Sequence, residues 1–262
     1  MGILNVTPDS FSDGGAYLES KAWERRIGEL LEQGADLLDI GGESTRPGAA
    51  PVPPDEQLAR ILAPVRFAVE RGVVVSIDTT SPLVAREACE AGALIINDIS
   101  CLATPGLARV ARDFDAWLLL MHSRGAMSAM TGFSSYPEDG YRDVVAEVVE
   151  ELRQARSRAS SEGVEGSRIW VDPGLGFHKS AAHSYALLRG LGALAPLGPV
   201  VVGASRKSFL ARDVAAPPAD RIGGSIAAGL AAARRGAQVL RVHDVLAMRQ
   251  ALAVEQALSG GV

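Results

Sequence analysis

Eight short apolar runs, each closing on a polar residue or a glycine-bearing loop, recur along the chain and constrain its fold more than any other feature. Ile3–Leu4 runs into Asn5, Leu37–Ile40 into the segment Gly41 to Gly48, Val73–Ile77 into Asp78, and Leu94–Ile96 into Asn97 and Asp98. Trp117–Met121 leads to His122, Ile169–Val171 to Asp172-Pro173-Gly174, Val200–Val202 to the segment Gly203 to Ser208, and Val239–Leu240 to Arg241, Val242, His243 and Asp244. Between these runs the spacing predicts helices over Trp23–Gln33, Asp55–Arg71, Pro82–Ala91, Leu107–Arg112, Tyr141–Glu162, Ser184–Leu194, Arg221–Arg235 and Val245–Leu258. Their apolar residues recur at three- and four-residue steps, as Val144, Val145, Val148, Val149 and Leu152 do. Gly34, Gly72, Gly92, Gly163 and Gly236 each follow a predicted helix, where a C-terminal cap favours a positive φ. Strand then helix, repeated, makes a parallel sheet. Eight such units are the number that closes an α/β (β/α)8 TIM barrel, which carries its chemistry at the C-terminal ends of the strands. A chain of 262 residues with 47% hydrophobic content fits one such barrel, so 1–262 is expected to be a single domain.

A net charge of −5 argues against a nucleic-acid partner, and no run of like charges marks a tail. Cys89 and Cys101 give neither a disulfide framework nor metal-ligand spacing, and read as small buried hydrophobes. No apolar run is long enough for a membrane span and no signal-peptide pattern opens the chain, so a soluble, cytoplasmic protein without a membrane partner is expected. The first strand begins one residue after the start, which leads to the expectation that the natural N-terminus lies further upstream. The longest irregular stretch, about Ser123–Asp139, follows a strand, where long loops are more often functional than accidental. A second irregular stretch covers Val214–Asp220.

The segments GILNVTPDSFSDGG, GGESTRPGA, SIDT, INDIS, LMH, DPGLGF, GASRKS and RVHDV, in this order, resemble the motif series of the dihydropteroate synthases. The resemblance covers nearly the whole chain, and the ordered set is far more specific than any single motif. It implies a pterin-binding barrel that joins a dihydropterin methyl diphosphate to p-aminobenzoate, with Mg²⁺ as cofactor. It also implies small-molecule substrates and a homodimer through the later helices.

Asp78, Asn97, Asp172 and Lys207 stand at the ends of different strands, so a closed barrel brings them to one pocket. The carboxylates can accept the ring N–H and amino group of a pterin, while the amide and ammonium serve its carbonyl and ring nitrogens. Singly, Asp172 could open a turn and Asp78 could cap a helix; all four together point to a site. The resemblance implies that Asp78, Asp172 and Lys207 are catalytic, and that Asn97, Met121, Phe177 and Gly203 complete the pterin pocket. Arg241 and His243 alternate across Val242 and so face one side, where a guanidinium beside an imidazole suits a diphosphate. Asn5, on the strand that would neighbour the last, offers an amide oxygen to Mg²⁺ and the diphosphate. The two glycine-bearing loops resemble the family's mobile loops. This implies Phe11, Thr45, Pro47, Phe177 and Ser208 around p-aminobenzoate, with Thr45 and Arg46 also near the diphosphate. Ser208 is expected to act through backbone N–H groups at the start of a following helix.

His178 departs from the family, whose members more often carry a small residue there, and the loop Ser123–Ser135 has its own sequence. The segment GESTRPG has no insertion of the kind found in sulfonamide-insensitive variants. Two other readings compete. A non-catalytic paralogue acting as a pterin-binding or regulatory protein should have lost part of a substrate subsite, and a folate-dependent methyltransferase domain would not need the GASRKS and RVHDV segments.

Overall fold

The computed structural model describes residues 1–7, 15–43, 50–125, 130, 132 and 134–260, leaving aside the side chains of 15–21. Its strands are β1 (Gly2–Asn5), β2 (Leu37–Gly41), β3 (Val74–Asp78), β4 (Ile95–Asp98), β5 (Trp117–Met121), β6 (Ile169–Asp172), β7 (Val201–Val202) and β8 (Val239–Leu240). The helices are α1 (Gly15–Glu32), α2 (Pro54–Val69), α3 (Pro82–Glu90), α4 (Leu107–Asp113), α5 (Val144–Ser161), α6 (Ala181–Arg189), α7 (Ile222–Ala233) and α8 (Val245–Leu258). All eight expected strands form, and the five capping glycines have φ of 86°, 73°, 104°, 97° and 93°. Three helices depart most from expectation: α1 already runs from Gly15, eight residues ahead of Trp23, and α5 and α6 have other bounds as well. Asp143 accepts bonds from the N–H groups of Val145 and Ala146, so α5 starts after it and not at Tyr141. Ser180 and His183 form a capping box that starts α6 early, and the chain tightens into a 3-10 turn over Leu191–Leu197 beyond Gly190.

Strands β1 to β6 pair in sequence order as a parallel sheet, and β7 pairs with β8. Ile3 N–H donates to the Val242 carbonyl at 3.0 Å and Val242 N–H to the Met1 carbonyl at 3.0 Å, joining β8 to β1. Val171 N–H donates to the Pro199 carbonyl at 2.9 Å, joining β6 to the entry of β7, and the barrel closes. Alternation along the strands separates two apolar layers. Leu38, Ile40, Val75, Ile77, Leu118, Leu120, Val171 and Val202 pack outward beneath the helices. Met1, Leu37, Ile95, Trp117, Leu119, Trp170, Val201 and Val239 fill the lower barrel, with the Trp117 and Trp170 rings 5.3 Å apart.

Register then sets the upper end. Asn5 lies opposite Gly41, Gly41 opposite Asp78, Asp78 opposite Asn97, and Met121 opposite Asp172. The polar residues that end the strands therefore share one level above the apolar plug. Both cysteines are buried and unpaired, as expected. No helix among the described residues is long and apolar enough to cross a membrane.

Candidate active site

The floor of the upper barrel is a buried charge cluster centred on Asp39, which the sequence reading passes over. Asp39 sits on β2 with no exposed surface. Its carboxylate accepts from Ser76 Oγ at 2.6 Å, Asn97 Nδ2 at 3.1 Å and Arg241 Nε at 2.6 Å, so it ties β2 to β3, β4 and β8. The sequence did carry a signal: an aspartate inside the apolar run LLDIG, at the register of the inward residues. Arg241 Nη2 also donates to Asp78 Oδ2 at 2.9 Å. The guanidinium expected to face a diphosphate is thus engaged by two carboxylates of the barrel interior, because Arg241 lies at the inward level of Asp39.

Asp78, Asn97 and Asp172 are brought together as expected, all nearly without exposed surface. Burial and the neighbouring Asp39 push Asp78 up to about 7, against the pull of Arg241. Its Oδ1 is buried with no hydrogen-bond partner. A buried acceptor left in this way costs about 1–3 kcal/mol, which a ligand N–H would recover. Asp172 is raised by burial, opposed by Lys207, Arg241, Lys179 and the Gly174 N–H, which donates to Oδ1 at 2.6 Å. A Cβ on Gly203 would lie 3.8 Å from both Arg241 and Asp172 Oδ2, so the glycine leaves the space between them open. Neither aspartate caps a helix; Ser81 caps α3.

Lys207 joins the cluster from the loop after β7. Its Nζ donates to the Leu175 carbonyl at 2.6 Å and sits 4.5 Å from the centre of the Phe177 ring. Burial draws it down to about 8, with Asp172 and Asp78 resisting. Phe177 packs with Met121, Ile99 and Met130 in a separate apolar cluster beside these charges. A flat, half-polar ring would meet carboxylates on one edge and this apolar ledge on its face.

A second hollow of about 390 Å³ opens between Asn5, Arg26, Arg206, His243 and Asp244. His243 Nδ1 lies 3.1 Å from Ser205 Oγ, and Arg26 Nη2 donates to the His243 carbonyl at 3.0 Å. Arg206 holds Asp244 through Nε at 2.9 Å and Nη2 at 2.5 Å. Burial, helped by the Arg241 and Arg206 charges, takes His243 down to about 3, so its imidazole offers hydrogen bonds and no charge at neutral pH. Arg26 is a cation at this hollow that the sequence reading did not single out.

Ser208 differs from expectation. It opens a four-residue 3-10 turn, Ser208–Ala211, and no long helix. Its Oγ lies 3.0 Å from Ser134 Oγ, which links this strand end to the long loop after β5. His178 is buried, with Nδ1 2.9 Å from Ser123 Oγ and the ring edge-on to Tyr136. Phe11, Thr45, Arg46 and Pro47 lie outside the described residues.

Comparison with known proteins places this geometry. A family model described as pterin binding enzyme matches residues 1–243. The dihydropteroate synthase of Escherichia coli K12 is 39% identical over 259 residues, covering 98% of this chain and 90% of its own length. The Xanthomonas albilineans dihydropteroate synthase solved with 4-aminobenzoic acid superposes with a TM-score of 0.89 at 43% identity, over 98% of this chain and 92% of that one. The Xanthomonas albilineans enzyme in complex with 7,8-dihydropteroate gives a TM-score of 0.85 at 41% identity, with the same coverage.

Proposed function

The chain belongs to the pterin binding enzyme family, among the dihydropteroate synthases, and on that premise we propose how its residues divide the reaction. The enzyme condenses (7,8-dihydropterin-6-yl)methyl diphosphate with p-aminobenzoate, giving 7,8-dihydropteroate and diphosphate. The C–O bond to diphosphate breaks, a C–N bond forms, and the amine gives up a proton.

The observation that carries the pterin assignment is the buried, unpartnered Oδ1 of Asp78, whose Oδ2 is held by the same Arg241 that borders, with Asp172, the space Gly203 leaves open. Asp78 and Asp172 accept the donor edge of the pterin, and Asn97 and Lys207 serve its acceptors. Phe177 and Met121 pack on the ring. As diphosphate departs, positive charge develops on the methylene and spreads into the pterin. The fixed charges of Asp78 and Asp172 favour that charge without reorganising, since Asp39, Arg241 and the Gly174 N–H already hold the frame. The neutral amine of p-aminobenzoate then attacks, with Ser208 at the carboxylate end and Phe177 between the two substrates.

Asn5, His243 and the cations around their hollow support a diphosphate subsite there. A Cβ on Gly41 would lie 3.8 Å from Asn5 Oδ1, so the glycine gives the amide room at the strand ends. Mg²⁺ takes few protein ligands and completes its shell with water and phosphate oxygens, so one amide at Asn5 fits it. When bound, it would neutralise charge on the departing diphosphate. Exposed apolar residues on the later helices, among them Ile222, Leu246, Val254 and Leu258, support a homodimer, and we place the enzyme in the cytoplasm.

Asp172→Asn tests the pterin assignment. Pterin affinity should fall by about tenfold or more, the loss expected when a charged acceptor becomes a mixed one. Wild-type affinity in that variant would remove Asp172 from the site.

A further inference from the structure

Lys179 lies in the turn between β6 and α6 and has no exposed surface, yet the reaction as derived above uses no lysine there. An ammonium in such a place must be matched on every N–H. Its Nζ has three acceptors: His122 Nδ1 at 2.8 Å, the Phe177 carbonyl at 3.0 Å and the His122 carbonyl at 3.3 Å.

The direction of these bonds is set by His122. Its Nε2 lies 2.9 Å from Glu151 Oε2. Burial would raise Glu151, but bonds from His122 and Arg124 hold it down to about 2, so it only accepts. Burial and the Lys179 charge take His122 down to about 4, leaving one ring N–H, which must face Glu151. Nδ1 is then bare and accepts from Lys179. A neutral amine has one N–H fewer than these acceptors require.

We propose that Lys179 is a positioning residue for the reaction: oriented by a relay of Arg124, Glu151 and His122, its ammonium ties the end of β5 to the loop that follows Asp172 and so fixes the pterin side of the pocket. The proposal rests on the pterin site assigned above. That loop supplies the Gly174 N–H to Asp172, the Leu175 carbonyl to Lys207, and Phe177 itself. A Cβ on Gly174 would come 3.4 Å from Lys179 Nζ and 2.0 Å from the His122 carbonyl, which shows how closely the layers meet. The relay leaves the barrel between β5 and β6 and ends on α5, where Arg124 bonds Glu151 and donates to Glu147 at 2.7 Å.

Burial draws Lys179 down to about 7; Asp172 resists this, Lys207 and Arg124 add to it, and Cys101, its thiol pushed up to about 11 by burial, is uncharged in this range. Loss of its proton therefore begins in the neutral range, removes a donor from the pocket wall and takes a positive charge from beside Asp172. Asp78 gains its charge over the same range, so efficiency toward the pterin substrate should rise to a maximum near neutral pH and then fall in two steps, one from Lys179 and one from Lys207.

The test is the pH profile of kcat/KM for the dihydropterin diphosphate from pH 6 to 9.5. Turnover by the unaltered enzyme tests the reaction; the variants test Lys179 alone. Lys179→Met should lower kcat/KM at pH 7 about tenfold or more, as displaced catalytic frames do. Its alkaline fall should become a single step. Glu151→Gln, remote from the pocket, removes a charge and lets His122 take either tautomer, so the first step should begin at lower pH. Glu147→Gln touches Arg124 but not His122 and should leave the profile in place. An unchanged kcat/KM and two-step fall in Lys179→Met would overturn the proposal. So would an unmoved first step in a Glu151→Gln protein with native circular dichroism, which decides the matter should Lys179→Met fail to fold.

Discussion

Asp78 shows how one carboxylate can be both structural and functional. Arg241 satisfies Oδ2, while Oδ1 is buried without a partner, and burial beside Asp39 lifts the pKa to about 7. A pterin that donates to Oδ1 needs the ionised form. Because the pKa of the free enzyme is raised, that form is lost as pH falls through 7, so affinity should weaken about tenfold per unit below pH 6. Binding at pH 7 should also release about half a proton. Calorimetry in buffers of different ionisation enthalpy reads both quantities; a flat affinity from pH 5 to 7 with no proton release would remove Asp78 from the pterin edge. Asp39 makes the complementary case. It touches no proposed substrate position, yet three donors from three strands converge on it. Asp39→Ala should cost about 3–5 kcal/mol in urea unfolding, the usual loss when a buried ion pair is broken from one side.

At the scale of the elements, the strand ends matter more than the strands. The eight apolar runs were legible because most of the strands are buried on both faces, which leaves a largely hydrophobic signature. Their closing residues were legible because polar side chains at such ends have few other reasons to be there. Helix starts were less legible. The run from Tyr141 has helical spacing, but the chain obeys the cap at Asp143. Among site residues, Asp78, Asn97, Asp172 and Lys207 came from their place at or just beyond strand ends together with the family resemblance. Asp39 was hidden inside an apolar run, and Lys179 inside a loop, where a lysine ordinarily reads as solvated; neither burial nor a bond to His122 leaves a mark in local sequence. The β6 turn shows what such tightness demands. Gly174 has φ of 64°, and an added Cβ would lie 2.0 Å from the His122 carbonyl oxygen. Gly174→Ala should therefore unseat Asp172, lowering thermal stability and pterin affinity together, the former by more than about 1 kcal/mol from backbone strain alone. A variant with native melting temperature and affinity would show that the β5 and β6 ends are not so closely packed in solution.

For the whole molecule, the barrel's division into an apolar lower plug and a charged upper level explains why one end is a site. Met1, Ile95, Leu119 and Val201 close the lower end, so the inward residues above them can be polar only by bonding one another or a ligand. Asp39 and Arg241 take the first course, and Asp78 Oδ1 is left for the second. The diphosphate hollow borders this level on the β8 to β1 side, next to Asn5 and His243. A group bound by Asp78 and Asp172 can therefore extend its methyl diphosphate along the strand ends toward that hollow. The most direct check of this account is diphosphate release by the purified protein supplied with (7,8-dihydropterin-6-yl)methyl diphosphate, p-aminobenzoate and Mg²⁺, each omitted in turn. Release that needs all three, with 7,8-dihydropteroate as the product, is the predicted result. Pterin binding without turnover in the complete mixture would contradict it and leave a barrel that holds its ligand but does no chemistry.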